Sequence, residues 1–267
     1  MARREQPEFA EQRWGRRTGE HFDLAQLACY SLRVIQIYRL TMRFPNGIEA
    51  LRDVSFRVHE GELAFIAGRS GSGKSTLLSL ITAELKASDG QILVAGRNLS
   101  VLKADQRPFL RRSMGRLWQD PRLLPDRTVR DNVSIPLEIL GVTGERARHR
   151  IDEVIELVGM ERHMNALPRW LSSLEQQRVA LARAIVHEPS LVIADEPGGN
   201  LDPEGARAIL QMLCDVRSRG TTVVIAVRDR AVTEPFSERV IVMNKGFLIE
   251  DEGSTEARPD TRGEVLA

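Results

Sequence analysis

Gly68-Arg69-Ser70-Gly71-Ser72-Gly73-Lys74-Ser75 decides the fold. The run has the spacing G-x-x-x-x-G-K-[ST], that of a phosphate-binding loop. Its glycines let the main chain curl until several N–H groups converge on phosphate oxygens. A helix that follows adds its N-terminus to the same anion. Lys74 then reaches the β- and γ-phosphates, the Ser75 hydroxyl ligates Mg²⁺, and Thr76 extends the cradle. The competing reading is a chance glycine-rich turn, and the context argues against it. Leu63 to Ala67 precedes the loop as a short buried strand, and Thr76, Leu77, Leu78, Leu80 and Ile81 follow at helical spacing. Only four of the 38 basic residues are lysine, so a lysine here marks a position that asks for a compact ammonium.

Outward from the loop, strand and helix signals alternate. Val54, Phe56 and Val58 alternate with polar residues as a half-buried strand. Leu191 to Ala194 and Val223 to Val227 read as buried strands, and residues 203–217 as a helix between them. Val240 to Met243 and Phe247 to Ile249 flank Asn244-Lys245-Gly246 as a hairpin. This alternation predicts an α/β fold of the P-loop NTPase class, with a mostly parallel sheet covered on both faces. Residues 120–187 break the alternation and form a helix-rich insert. Leu191-Val192-Ile193-Ala194-Asp195-Glu196 ends a buried strand in two carboxylates, at the sheet edge where α/β folds bind ligands. Asp195 is expected to hold Mg²⁺, and Glu196 to polarise the attacking water as general base. The plainer reading of Asp195-Glu196-Pro197 is an ordinary strand exit.

Composition bounds the rest. The chain has 267 residues, 42% hydrophobic and 28% charged, as in a globular protein. The formal net charge of +1 gives no whole-chain electrostatic case for nucleic-acid binding, and none is expected. Cys29 and Cys214 cannot build a disulfide framework and suit a reducing compartment. No run reaches the roughly 18 apolar residues of a membrane span, and residues 1–20 have no signal-peptide core. A cytoplasmic location follows. Residues 1–32 read as a polar N-terminal extension and residues 251–267 as an acidic solvated tail. Arginines 3, 4, 13, 16 and 17 have an anionic-lipid reading, but interleaved glutamates favour a solvated tail. His149, His163 and His187 have no metal-ligand spacing and are assigned no role. Leu137, Ile139, Leu140 and Val142 around Pro136 fit either subdomain core or the wall of a groove for a partner's helix.

The two motifs, with Leu171-Ser172-Ser173-Leu174-Glu175-Gln176-Gln177-Arg178 between them, resemble the ATP-binding cassette (ABC) ATPases over roughly residues 33–250. The resemblance implies an ABC nucleotide-binding domain: a RecA-like core, an antiparallel β subdomain and a helical subdomain at about 120–187. It implies ATP and Mg²⁺ as cofactors, and a homodimer or a heterodimer with another ABC ATPase. By the same resemblance Gln119 is a Q-loop residue that senses Mg²⁺ and contacts a membrane partner. Asn200-Leu201-Asp202 is a loop that crosses the dimer interface, and Phe44 stacks on adenine. Residues 119–133 and Glu175-Gln176-Gln177-Arg178 are similar to the cell-division branch of the family, FtsE. That likeness implies a polytopic membrane partner of FtsX type and a peripheral position on the inner face of the plasma membrane. Lipoprotein-releasing and macrolide-type exporter ATPases are the alternative.

Three positions depart from that pattern. Ser173 and Leu174 stand where the family signature has two glycines, whose amides, with the serine at 172, close on ATP of the other subunit. A leucine there is expected to crowd that approach, while Ser172 with Glu175 also fits a plain capping box. Arg228 stands where the family has a switch histidine. A guanidinium can hold a γ-phosphate but stays charged and relays no proton. Its plainer reading is a surface arginine. Gly198-Gly199 replaces the usual Thr-Gly. These departures leave the nucleotide-binding half intact and predict slowed hydrolysis, in the limit a nucleotide-dependent scaffold.

Overall fold

The computed structural model describes residues 33–252. The polar extension, Cys29 and the tail after Glu252 lie outside the described residues. The chain opens with β1 (Arg33–Arg43), β2 (Glu49–His59), β3 (Leu63–Ala67) and α1 (Lys74–Ile81). Next come β4 (Asp89–Val94), β5 (Arg97–Asn98), α2 (Arg107–Arg112) and β6 (Met114–Leu117). Three helices follow: α3 (Val129–Ile139), α4 (Gly144–Leu157) and α5 (Ser173–Ile185). The chain then returns through β7 (Leu191–Asp195), α6 (Pro203–Ser218), β8 (Thr222–Val227), β9 (Arg239–Asn244) and β10 (Phe247–Glu252). Among the described residues no helix is long and apolar enough to cross a membrane.

Two sheets result. One is antiparallel in the order β2-β1-β4-β5; the other runs β10-β9-β3-β8-β7-β6. In the second, β9, β3, β8, β7 and β6 are all parallel, and β10 closes the edge antiparallel to β9. The continuous apolar runs are explained by burial on both faces. Leu63, Phe65, Ala67, Val192, Ala194, Val223 and Ile225 face a core shared with the helical insert. Ala64, Ile66, Leu191, Ile193, Val224 and Ala226 face a second core shared with the antiparallel sheet and α1. Burial of each large side chain contributes on the order of 2 kcal/mol, so both layers are held to the central sheet by the same few strands.

The helical insert is pinned at its start. Thr128 caps α3 in a reciprocal box with Asp131. The buried Asn132 amide donates to the carbonyls of Leu124, Arg127 and Thr128 and accepts the Leu124 N–H at 2.8 Å. It thereby satisfies the loop that follows β6. The Pro136 segment divides between its two sequence readings. Leu137 is buried and Val142 packs on the core, while Ile139 and Leu140 remain 54% and 42% exposed.

The hairpin turn has Lys245 and Gly246 both at positive φ, 46° and 84°, as a tight turn between right-twisted strands needs. It also braces the phosphate loop. Gly246 donates its N–H to the Ser72 carbonyl at 3.0 Å, and Arg52 donates to the Gly246 carbonyl at 2.8 Å. β10 runs past the 250 boundary that composition suggested. Asp251 is a strand residue whose carboxylate pairs with Arg239, and the Arg239 guanidinium also bonds Glu62 at 2.8 Å and the Arg57 carbonyl at 2.7 Å. Arg239 is buried, and its charge is held by the Asp251 and Glu62 carboxylates together with the Arg57 carbonyl. Burial pushes the Cys214 thiol up to about 11, which keeps it neutral.

Candidate functional site

Register assembles the site. Ala67 pairs with Val227, Asp195 with Ala226 and Leu117 with Ala194, so β3, β8, β7 and β6 end level with one another. The residues just beyond those ends are Gly68, Arg228, Glu196 and Trp118-Gln119. Segments far apart in sequence thus meet at one carboxyl edge, the place where parallel sheets bind ligands.

The loop itself leaves β3 at Gly68, whose N–H donates to the Val227 carbonyl at 3.2 Å. Gly73 has φ +104°, and a Cβ there would lie 2.6 Å from the Ala50 carbonyl, so only glycine fits. Arg69, Ser70 and Gly71 form an exposed rim, with Ser72 and Lys74 buried beneath it. The Lys74 side chain is only 3% exposed. Its ammonium donates to the carbonyls of Gly68 at 2.6 Å and Arg69 at 3.2 Å, and lies 3.4 Å from the Glu196 carboxylate. The buried Ser72 hydroxyl has no hydrogen-bond partner. A curled loop with an ammonium at its floor and an unsatisfied hydroxyl is a cradle that an anion completes. These residues fit a triphosphate tail.

Ser75 and Asp195 come together as expected. The Ser75 hydroxyl donates to Asp195 at 3.3 Å. Burial pushes the Asp195 carboxyl above the usual carboxylate range, against the Ser75 hydrogen bond, and neighbouring Glu196 adds to the rise. A desolvated carboxylate beside a hydroxyl is an oxygen donor pair that suits Mg²⁺, a hard cation that keeps waters and phosphate oxygens as its other ligands. Gln119 reaches the same edge: its amide donates to Asn200 at 2.9 Å and its carbonyl accepts from Arg228 at 3.3 Å.

Glu196 stands at φ +48°, a left-handed conformation uncommon for a non-glycine residue and typical of functional strain. Its N–H donates to the Ala226 carbonyl at 3.0 Å and its carbonyl accepts from Gly199 at 2.9 Å. The carboxylate sits between two cations, Lys74 on one oxygen and the Arg228 guanidinium on the other. At Gly198, where the departure from Thr-Gly lies, a Cβ would lie 2.6 Å from that of Ala206, so the start of α6 fills the space a side chain would take.

The signature segment is a capped helix start. The Ser172 hydroxyl accepts the Glu175 N–H at 3.3 Å, and the Glu175 carboxylate accepts the Ser172 N–H at 2.8 Å. The Ser172 hydroxyl also donates to the Glu175 carboxylate at 2.7 Å, and this bond, with that from the Ser172 N–H, holds the Glu175 carboxyl below its usual range. Within the chain Ser172 therefore serves α5 and does not touch the phosphate loop. Leu174 is half-buried on the core, near Leu201 and beside Gly205. Phe44 follows β1 and is half-buried against the second core, its N–H donating to the carbonyl of exposed Ile48 at 2.8 Å.

Two features were not read from the sequence. Asn200 is tied to Gln119, joining two loops that meet only in the fold. Trp118 lies between the guanidinium groups of Arg116 and Arg122, 3.7 and 4.2 Å from its ring centre. No residue spacing announces either; both depend on which strand ends are neighbours.

The ABC transporter family profile matches residues 51–199. The cell division ATP-binding protein FtsE of Bacillus subtilis is 39% identical over 84% of this chain and 98% of its own length. FtsE of Escherichia coli K12 is 40% identical over 80% and 97%. Among solved structures, a dimeric ATP-binding cassette, MJ0796, in a post-hydrolysis state bound to ADP and Pi superposes with a TM-score of 0.73. It is 33% identical and covers 82% of this chain and 97% of that one. CbiO1 from Clostridium perfringens, part of the ABC transporter complex cbiONQ, gives 0.77 at 29% identity over 82% and 88%.

The raised carboxyl yields a pH prediction. Burying the Asp195 charge costs stability, and protonation removes that cost. Asp195→Asn should melt at a higher temperature than the wild type at pH 7 without ligand. Its advantage should shrink as pH falls through the raised titration range of Asp195. Thermal melts from pH 7 to pH 4 check this; an advantage that grows toward acid would contradict it.

Proposed function

The chain belongs to the ABC transporter family, and from that premise we propose that it is the ATP-hydrolysing subunit of a membrane complex of the FtsE–FtsX kind, acting in cell division. The observation that carries the chemistry is the convergence of Lys74, Ser75, Asp195 and Glu196 on one sheet edge. The 68–75 loop holds the β- and γ-phosphates, and Lys74 exchanges its loop carbonyls for phosphate oxygens. Ser75 and Asp195 would hold Mg²⁺, which neutralises charge developing on the phosphates. Glu196 orients the attacking water and takes its proton. Phe44 offers its free ring surface to adenine. Two chains close head to tail, bringing the start of α5 and Ser172 to the nucleotide of the other subunit.

Turnover is expected to be slow. The signature segment lacks both glycines, and Arg228 replaces an imidazole. Loss of one transition-state donor costs about 10²–10³ in rate. The division role is favoured by the identity to FtsE proteins, 39–40% over 80–84% of this chain.

The partner site is read from charge. A groove of about 480 Å³ lies where α2, α3 and α5 meet β6. Arg111, Arg112, Arg116 and Arg183 line it with Ile139 and Leu140; Arg116 is paired with Glu84 and Arg183 bonds the carbonyls of Pro121 and Arg122, so the charge offered to a partner is mainly that of Arg111 and Arg112. It suits an acidic amphipathic segment from the cytoplasmic side of the membrane partner. That contact would place the protein peripherally on the inner face of the membrane.

Two outcomes test this reading. Glu196→Gln should remove steady-state phosphate release by the partner-bound protein, by about 10²-fold or more, with ATP affinity within about twofold. Unchanged release would refute the assignment of Glu196. Arg111→Glu combined with Arg112→Glu should abolish co-purification with the membrane partner while ATP still binds. Retained co-purification would move the partner to another face.

A further inference from the structure

Arg228 faces the site without entering the phosphate cradle. It follows β8, and its side chain is 57% exposed, whereas Glu196 is 11% exposed. Its Nε donates to one Glu196 oxygen and its second terminal nitrogen donates to the Gln119 carbonyl at 3.3 Å. Gln119 in turn donates to Asn200 at 2.9 Å. A single arginine therefore ties together three loops: the exit of β7, the exit of β6 and the turn before α6.

We propose that Arg228 is a latch that occupies Glu196 in the resting enzyme and is released when Gln119 moves. This rests on the proposed role of Glu196 as base. With Lys74 facing one carboxylate oxygen and Arg228 bonded to the other, each Glu196 oxygen already faces a cation, and a water that Glu196 is to orient must compete with the Arg228 guanidinium for its place on that oxygen. A nucleotide's phosphates draw Lys74 away, but they leave the Arg228 bond in place. Arg228 itself is fully charged and has no acceptor, so it cannot replace the base it restrains. Because its side chain is mostly in water, the pair is weak and reversible, as exposed ion pairs are. Its second anchor, Gln119, decides whether it stays. A shift of the 118–122 loop, whose Trp118 lines the arginine groove, removes that anchor and turns Arg228 toward solvent. Partner engagement in the groove would thereby switch on hydrolysis that is held back in the free subunit.

The test uses full-length protein, with and without its detergent-solubilised membrane partner, and measures phosphate release and ATP affinity. Arg228→Ala and Arg228→His should raise kcat of the free subunit roughly three- to tenfold, the range an exposed ion pair supports. ATP affinity and KM should stay within about twofold, and stimulation by the partner should shrink by the same factor as kcat rises. Arg228→Lys, which keeps the charge but not the fork that spans Glu196 and Gln119, should fall between the wild type and Arg228→Ala. Two variants guard against one that fails to fold, and bound ATP reports folding in each. If kcat falls in both variants while Glu196→Gln remains inactive, Arg228 is a transition-state donor; the latch is wrong and the ATPase reading stands. If Glu196→Gln changes nothing, the role of Glu196 and the latch fall together.

Discussion

Lys74 carries its charge to a position that is 3% exposed, with two carbonyls of its own loop within 3.2 Å and the carboxylate of Glu196 at 3.4 Å. A buried ammonium is costly unless it is surrounded by acceptors. Here the loop supplies them by curling back on its own lysine, which keeps it in the shape a phosphate tail needs. The ammonium thus preorganises the empty cradle, and binding exchanges acceptors without creating a new buried charge. Preorganisation of this kind lowers the ordering cost that a flexible loop would pay on binding.

The cradle depends in turn on what stands behind it. Gly73 is pressed against the Ala50 carbonyl, and Gly246 caps the Ser72 carbonyl, so the antiparallel sheet and the terminal hairpin both back the loop. The parallel register then brings Asp195, Glu196, Gln119 and Arg228 to the same edge. Rigid strands with short exits place these groups; the helical insert contributes a groove and the start of α5. Among these groups Glu196 is held at positive φ by the backbone bonds of the β7 exit.

Much of this was legible in the sequence. The 68–75 loop, the strands at 63–67, 191–195 and 222–227 and the hairpin turn carry local signals: glycines at required positive φ, unbroken apolar runs, a polar turn. β1 and β6 were not read. β1 has several bulges against β2 and β4, which blur its alternation. β6 has only four residues, and its Gly115 lies so close to the backbone of Ala184 on α5 that a side chain has no room. The capping box at Ser172 was visible because it is local; the packing of Leu174 beside Gly205 was not, because it joins segments about thirty positions apart. Gln119 shows the same limit. Its partners are set by which loops converge, and those are Asn200 and Arg228.

Substitution of the switch histidine by Arg228 and of the signature glycines by Ser173 and Leu174 falls wholly on the parts that complete hydrolysis. The parts that hold nucleotide are kept. On the proposed reading, binding and turnover separate in this chain, with the first resting on Lys74 and its loop. The most direct measurement is calorimetric titration of the full-length protein and of Lys74→Ala with ATP and Mg²⁺. The account predicts one saturable site per chain in the wild type and at least about tenfold weaker binding in the variant, since a charge-assisted contact contributes roughly 1.5–3 kcal/mol. Equal affinity in the two proteins, or no heat of binding in the wild type, would contradict it.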